Sequence, residues 1–525
     1  MTALDAPVLT VRGLSLALPK GADRPFAVED VSFEVRRGEI LCLVGESGSG
    51  KTALSHAIMG ALPAGLKRSA GEIRLGDRSL TDLSAKDLRR LRGDRMAMIP
   101  QEPIAALNPS IRVGRQIEEV LELHTRMTPA ARRERCLSLL AAMKIADPER
   151  VAGSWPHQLS GGQCQRAVIA MALAVHPDLL IADEPTTALD VTTQAQILTL
   201  FGDLRARGDH GILMVTHDFG VVAEVADRVA VMRHGQIVEI GPVDDILKRP
   251  THPYSRQLID CLPRATPEPR PAPAGDAVLS LQKVCKSYGQ RQILKDIDLT
   301  LQRGSTLSIV GESGSGKSTL ARLLVRLTAC NAGQALMEGE DLFDLRGAAL
   351  QRMRGRVQMV FQDPYGALNP RRTVGEIIGR AARLTGLDAK GAKARTLELL
   401  GLVGLPAEAY DRRPAAFSGG QRQRIGIARA LATNPEILIA DESVSALDVS
   451  IQAQILELLQ SLQTRFGLSI LFITHDLRVA GQISDTIAVL KDGEVVESGP
   501  PQAVLHSPVH PYTRALIQAS PGGLA

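Results

Sequence analysis

One octapeptide occurs twice in this chain, and it limits the fold more than any other feature. Gly45 to Thr52 reads GESGSGKT, and Gly311 to Ser318 reads GESGSGKS. The first copy follows a short apolar run, EILCLVG from Glu39 to Gly45, and precedes the helical stretch TALSHAIMGAL. Glycines let a backbone turn tightly enough to aim several N–H groups at one point, and a helix N-terminus adds partial positive charge there. The pattern G-x-x-x-x-G-K-[ST] between strand and helix is a phosphate-binding loop. Open α/β sheets bind ligands at the C-terminal ends of their strands, so two such loops predict two such sheets.

The repetition extends well beyond the loops. LSGGQCQR from Leu159 returns as FSGGQRQR from Phe417, and IADEPTTALD from Ile181 as IADESVSALD from Ile439. VTHD, with His217, returns as ITHD with His475, ALNP at Ala106 as ALNP at Ala367, and THPYSRQLI at Thr251 as VHPYTRALI at Val509. Lys51 and Lys317 are 266 positions apart, whereas Ser160/Ser418, Asp183/Asp441 and His217/His475 are each separated by 258. Length thus varies only between the first motif and the third, which predicts a tolerant inserted segment beside a rigid catalytic one. So long a period means two similar domains, not a solenoid. Prolines at 263, 267, 269, 271 and 273 exclude a helix or a central strand between the copies. The expected organisation is a domain over 1–262, a Pro-rich linker over 263–276 and a second domain over 277–525. Within each copy short buried runs such as DLLIADE and GILMVTH alternate with helical patterns such as VTTQAQILTLFGDL. That alternation predicts a largely parallel sheet covered on both faces. From about 105 to 160 only helical patterns occur, VGRQIEEVLELH and AARRERCLSLLAAM among them, which predicts a helical insertion where the repeat offset changes.

Composition removes several alternatives. At 525 residues the chain exceeds one ordinary core, and 44% hydrophobic with 22% charged residues describes a globular protein. A net charge of +4 without a concentrated basic stripe gives no footprint for nucleic acid. The longest unbroken apolar run, Ala167 to Val175, falls far short of the roughly twenty residues of a membrane-spanning helix. The start, MTALDAPVLT, has no basic segment followed by an apolar one, so a cytoplasmic location is expected. Six scattered cysteines form no C-x-x-C pair and no metal-ligand spacing.

Chemistry sits at four places in each copy. Lys51 and Lys317 are expected to bridge the β- and γ-phosphates of ATP, with the hydroxyls of Thr52 and Ser318 on Mg²⁺. The apolar strands LLIAD and ILIAD bring Asp183 and Asp441 towards that metal. The following carboxylates, Glu184 and Glu442, are positioned to polarise the attacking water. Phosphoryl transfer asks for little covalent help, so placement of this water and neutralisation of charge carry the rate.

With Gln101 and Gln362, the SGGQ segments, the DE pairs and the late histidines in this order, the chain resembles ATP-binding-cassette ATPases over essentially its whole length. The resemblance implies two P-loop cassettes, each a mostly parallel sheet with flanking helices, a helical subdomain and an antiparallel β part. It implies that the cassettes pair within the chain around two ATP molecules, each site being composite. Lys51 and Glu184 would face Ser418, Gly419 and Gly420; Lys317 and Glu442 would face Ser160, Gly161 and Gly162; Gln163 and Gln421 would also bind nucleotide. The nucleotide would contact both phosphate loops: Gly45, Glu46, Ser47, Gly48, Ser49, Gly50, Lys51 and Thr52; then Gly311, Glu312, Ser313, Gly314, Ser315, Gly316, Lys317 and Ser318. Gln101 and Gln362 resemble the glutamine that touches Mg²⁺ and senses the membrane partner. His217 and His475 resemble the switch histidine of the γ-phosphate, and Asp190 and Asp448 the aspartates that couple the two sites. Both copies keep every catalytic residue type, so two competent ATPase sites are expected. Two departures stand out. Tyr288 fits the adenine-stacking aromatic of the second half, but the first half has Leu18 there, with Phe26 a nearby substitute. Ser443 replaces Pro185, a loop variation.

QEPIAALNPSIRVGRQI, QDPYGALNPRRTVGEII and the HPY endings resemble the dipeptide, oligopeptide and nickel importer branch, here fused as in its glutathione-importer and microcin-uptake types. Many branch members carry a cysteine cluster after HPYT; here only Cys261 follows the first such segment, so no iron–sulfur centre is expected. The resemblance implies the ATP-hydrolysing subunit of a bacterial importer, peripheral on the cytoplasmic side of the inner membrane. Its partners would be two transmembrane permease subunits and an extracytoplasmic solute-binding protein. It would have no nucleic acid partner and make no direct contact with the solute. The alternative is a soluble tandem cassette protein acting on ribosomes or DNA, which would share the ATP motifs. Against it stand the short Pro-rich linker and the absence of visible zinc modules or coiled coils.

Overall fold

The computed structural model describes residues 6–22, 24–186, 189–262, 275–363, 365–444 and 447–520. The chain divides into two compact units, Met1–Cys261 and Leu262–Ala525. Residues 263–274 of the expected linker lie outside the described residues.

Each unit contains two sheets built in the same order. In the first, the strands Met96–Ile99, Leu179–Asp183, Gly211–Val215, Ile40–Val44 and Arg228–Arg233 run parallel in that spatial sequence, with Gln236–Pro242 antiparallel at the edge. In the second, Val357–Val360, Ile437–Asp441, Ser469–Thr474, Thr306–Val310 and Thr486–Lys491 repeat it, closed by Glu494–Gly499. A smaller antiparallel sheet accompanies each: Phe26–Arg36, Pro7–Ala17, Lys67–Leu75 and Arg78–Ser79 in the first unit, with the same order in the second.

Every residue of Ile40–Val44, Leu179–Asp183 and Gly211–Val215 is buried, because a parallel strand covered on both faces needs an apolar side chain each way. The period of two is visible in the second unit. Ile437 and Ile439 join the core beneath the antiparallel sheet and the helix Lys317–Leu324. Leu438 and Ala440 face the opposite core, with the helices Gly419–Leu431 and Val449–Phe466. One strand thus binds two layers and delivers Asp441 at its end.

The helical stretch is where the patterns put it. Val113–His124 and Pro129–Ala142 in the first unit, and Val374–Arg383 and Ala389–Leu402 in the second, fall between the first two strands of each parallel sheet. The repeat offset, however, changes mostly outside this helical stretch and not within it as expected. It falls from 266 at the lysines to 261 at Gln101/Gln362, before the helices begin, and reaches 258 only beyond them. The larger part arises where the antiparallel strand is longer in the first unit, Lys67–Leu75 against Ala332–Met337. An edge hairpin lengthens without disturbing the parallel core.

Gly71 lies in that strand with φ 88°, and a Cβ there would collide with the backbone of Gly13 and Leu14. Gly153, at the end of the helix Pro148–Gly153, has open space around it. Gly71→Ala is expected to lower stability by about 2–3 kcal/mol, whereas Gly153→Ala is neutral to within about 0.5 kcal/mol. Thermal unfolding of the two variants beside the unchanged chain checks this.

Candidate active site

The phosphate loops start where the strands Ile40–Val44 and Thr306–Val310 end, and run into the helices Lys51–Ile58 and Lys317–Leu324. Their shape is enforced by glycine. Gly45 (φ 150°) sits so close to the Met232 carbonyl oxygen, and Gly311 (φ 157°) to that of Leu490, that neither position has room for a side chain. Gly50 and Gly316 cap the helices in left-handed conformation, at φ 109° and 110°. Behind each loop a β-turn holds its exit: Gly235 N–H donates to the Ser49 carbonyl at 2.9 Å, and Gly493 N–H to that of Ser315 at 3.2 Å.

Lys51 is buried, and its Nζ donates to the carbonyls of Gly45 (2.6 Å) and Glu46 (2.9 Å). Lys317 repeats this with Gly311 (2.7 Å) and Glu312 (2.8 Å). A buried ammonium must find acceptors, and the loop supplies them from its own backbone. The first loop receives one further contact that the motif does not reveal: the Arg24 guanidinium donates to the Gly48 carbonyl.

Three neighbouring parallel strands deliver the candidate catalytic cluster. Past Met96–Ile99 comes Gln101; Leu179–Asp183 ends on Asp183 and turns into Glu184; past Gly211–Val215 comes His217. Gln101 Nε2 donates to Glu184 Oε2 at 2.8 Å, and His217 Nδ1 lies 3.2 Å from Oε1. In the second unit Gln362 Nε2 donates to Glu442 Oε2 at 2.7 Å, with His475 Nδ1 3.8 Å from the same oxygen. A glutamine 83 or 80 positions before the glutamate and a histidine 33 positions after it thus converge on one carboxylate in each unit. Both glutamates adopt left-handed backbone, φ 48° and 44°, a strained choice for a non-glycine residue that turns the side chain out of the strand line. Burial pushes the Glu442 carboxyl upward, but the hydrogen bond and charge of His475, together with Lys317, hold it below the usual range. It is therefore ionised at neutral pH, as a group that polarises water must be.

Asp183 and Asp441 stand one residue back and are nearly inaccessible. Ser318 Oγ donates to Asp441 at 3.1 Å, while Asp183 Oδ1 is buried without a hydrogen-bond partner. Burial raises the pKa of both aspartates, and the neighbouring glutamate charge adds to it; the Thr52 and Ser318 hydroxyls pull the other way.

The SGGQ segments form helix starts. Ser160 caps Gly161–Ala172 and Ser418 caps Gly419–Leu431 through capping boxes: the serine accepts from the backbone of Gln163 or Gln421, whose side chain accepts from the serine N–H. The glutamines thus hold the helix start, and Ser160 and Ser418 remain exposed at it. Gly162 and Gly420 answer packing, since a Cβ would press on Thr193 Cγ2 at 2.7 Å or strike Ile451. Asp190 likewise caps a helix, accepting from Thr193 N–H at 2.9 Å, and Asp448 stands at the corresponding N-cap. Tyr288 ends its strand half exposed, with Lys286 Nζ 4.7 Å above the ring. Leu18 packs against the first core and Phe26 begins the partner strand, paired with Ala17.

Two family models match the chain. One, "ABC transporter", matches residues 28–187 and 294–445; the other, "Oligopeptide/dipeptide transporter, C-terminal region", matches residues 238–289 and 496–522. The chain is 44% identical to the peptidoglycan transport ATP-binding protein YejF of Agrobacterium fabrum, over 98% of this chain and 96% of that one. It is 43% identical to the glutathione import ATP-binding protein GsiA of Escherichia coli (strain K12), over 99% of this chain and 90% of that one. A solved dimeric ATP-binding cassette in a post-hydrolysis state, bound to ADP and Pi, is 29% identical, with 45% of this chain and 98% of that one covered and a TM-score of 0.41.

Folded-state pKa values above the unfolded one mean that Asp183 and Asp441 favour the fold below pH about 4 and oppose it once ionised. Asp183→Asn and Asp441→Asn should therefore raise the nucleotide-free melting temperature at pH 7.5, with the gain shrinking towards pH 4. Melting curves at the two pH values test the sign.

Proposed function

The chain belongs to the ABC transporter ATP-binding family and is an ATPase, and from that premise we propose that it drives the import of peptides or peptide-like solutes. The observation carrying this reading is the pairing of two complete ATPase clusters with an oligopeptide/dipeptide C-terminal region after each. No helix among the described residues is long and apolar enough to cross a membrane. By its likeness to import ATP-binding subunits, the proposal puts the chain peripherally on the cytoplasmic side of the inner membrane, on two permease subunits fed by an extracytoplasmic binding protein. Nothing in the comparisons favours ribosome or DNA partners.

Each phosphate loop takes the triphosphate of ATP on its N–H groups, and Lys51 or Lys317 exchanges loop carbonyls for β- and γ-oxygens. Glu184 or Glu442, oriented by its glutamine and histidine, holds the attacking water and accepts hydrogen bonding from it. The residues present also suit Mg²⁺. Asp183 Oδ1 is an orphaned buried oxygen, and Asp441 already meets the Ser318 hydroxyl, so both positions offer the hard oxygen donors this ion takes along with phosphate. The ion would neutralise charge on the phosphates; Thr52, Ser318, Asp183 and Asp441 would hold it, with Gln101 and Gln362 at its edge. In this reading the cassettes pair within the chain. The helices capped at Ser160 and Ser418 would each offer their N-terminal charge to the γ-phosphate of the other half's ATP. Closure then depends on that phosphate, and its loss reopens the pair.

Two complete clusters predict two working sites. Glu184→Gln and Glu442→Gln should each lower ATP turnover of the chain by about half or more, and the double variant by about a hundredfold or more, with ATP still bound, since general-base help is worth about 10²–10⁴ at each site. Steady-state phosphate release and equilibrium nucleotide binding on the full chain separate the two effects; a single variant with unchanged turnover refutes the two-site reading. The importer reading itself is tested by tagged purification from gently solubilised native membranes. Two multi-span permeases should co-purify, and recovery of ribosomes or repair proteins without a permease overturns it.

A further inference from the structure

On sequence alone the HPY segment near the end of each half reads as a turn packed on its domain. The structure gives it a second contact, in both units. His252 caps the helix Pro253–Asp260, accepting from Tyr254 N–H at 3.2 Å, and His510 does the same for Pro511–Ala519 at 3.1 Å. This aims each tyrosine inward, where its hydroxyl accepts the N–H of the second residue of the phosphate loop: Tyr254 from Glu46 at 3.3 Å, Tyr512 from Glu312 at 3.1 Å. Both rings are buried beneath a cation, Arg233 at 4.6 Å and Lys491 at 5.0 Å, from the end of the strand that walls the loop.

The turn is itself anchored. Glu239, in the edge strand Gln236–Pro242, accepts from Thr251 N–H at 2.7 Å, Thr251 Oγ1 at 2.7 Å and His252 N–H at 3.3 Å. Glu497 accepts from Val509 N–H at 2.8 Å and His510 N–H at 3.1 Å. A continuous chain of hydrogen bonds thus runs from the last strand of each unit, through HPY, to the entry of its phosphate loop. With the turn at Gly235 or Gly493 holding the exit, the loop is gripped at both ends.

We propose that the C-terminal segment of each half is a brace for its nucleotide site, with Tyr254 and Tyr512 the positioning residues that fix the phosphate loop through Glu46 and Glu312. The proposal rests on ATP binding and not on the import reading. A glycine-rich loop that is free before binding loses conformational entropy when phosphate arrives; one already ordered does not. Burial, followed by the charge of Glu46, pushes the Tyr254 phenol up to about 12, and burial does the same for Tyr512. The hydroxyls therefore stay neutral throughout the physiological pH range.

Tyr254→Phe and Tyr512→Phe keep the ring under its cation and remove only the hydroxyl. In the full chain the double variant should bind Mg-ATP about three- to tenfold more weakly, the range expected for one hydrogen bond at each site. KM for ATP should rise to match while kcat stays within about twofold, because an interaction made equally in ground and transition state moves KM alone. Equilibrium titration with a fluorescent ATP analogue and steady-state phosphate release give both readouts, beside a melting curve. Unchanged affinity and KM overturn the proposal even if the melting temperature falls, since that is what a packing role alone would produce. If the double variant fails to fold, Glu239→Gln with Glu497→Gln loosens the anchor without touching the loop; a raised KM supports the brace, and an unchanged KM overturns it.

Discussion

A buried lysine tied to two carbonyls of its own loop is the interaction around which each half is arranged. Such a cation is tolerable inside a protein only while fully partnered. The partners exist only because the loop folds back on itself, and the loop does so only with glycine where the neighbouring strand's carbonyl leaves no space. That strand in turn needs the parallel sheet, and the sheet needs apolar side chains on both faces to join its two cores. A ligand can take the lysine only by offering oxygens at least as attractive as those carbonyls, and the charged oxygens of a polyphosphate do.

The candidate catalytic cluster follows from the same sheet. Three adjacent strands end at one level, so glutamine, glutamate and histidine meet although they are distant in the chain. Backbone strain at the glutamate is tolerated because its N–H still reaches a carbonyl of the next strand, Val215 or Ile473, at 2.9 Å. The halves differ at their margins. The first has a longer antiparallel strand and an arginine on its phosphate loop; the second has an exposed tyrosine at the corresponding edge.

Much of this was legible in the sequence because it is local. Strand, glycine loop and helix are contiguous, and the helices Val113–His124 and Pro129–Ala142 announce themselves by period. The candidate site residues were legible for another reason: they occur twice in one order, so the chain supplies its own comparison. What escaped was contact without local pattern. Nothing near Tyr254 points to Glu46, 208 positions earlier, and nothing near Arg24 points to Gly48. The glutamines of SGGQ were visible and assigned to the nucleotide, although S-x-x-Q before an apolar run is equally the signature of a helix start. The first-half counterpart of Tyr288 stayed open, since a leucine against the core and a phenylalanine opening a strand carry no mark of stacking.

The wall behind the first phosphate loop has a consequence for how the chain is made. The motif itself is complete by residue 52, but the carbonyl that shapes Gly45 belongs to Met232 and the N–H that holds Ser49 to Gly235. A ribosome that has finished the motif has roughly 180 residues still to add before either arrives. Contacts so far apart in sequence form late. A truncated chain, or one stalled in its helical insertion, carries every residue of the motif and lacks its enclosure. Competence for nucleotide is thus conferred near the end of synthesis of each half, so an unfinished engine does not run.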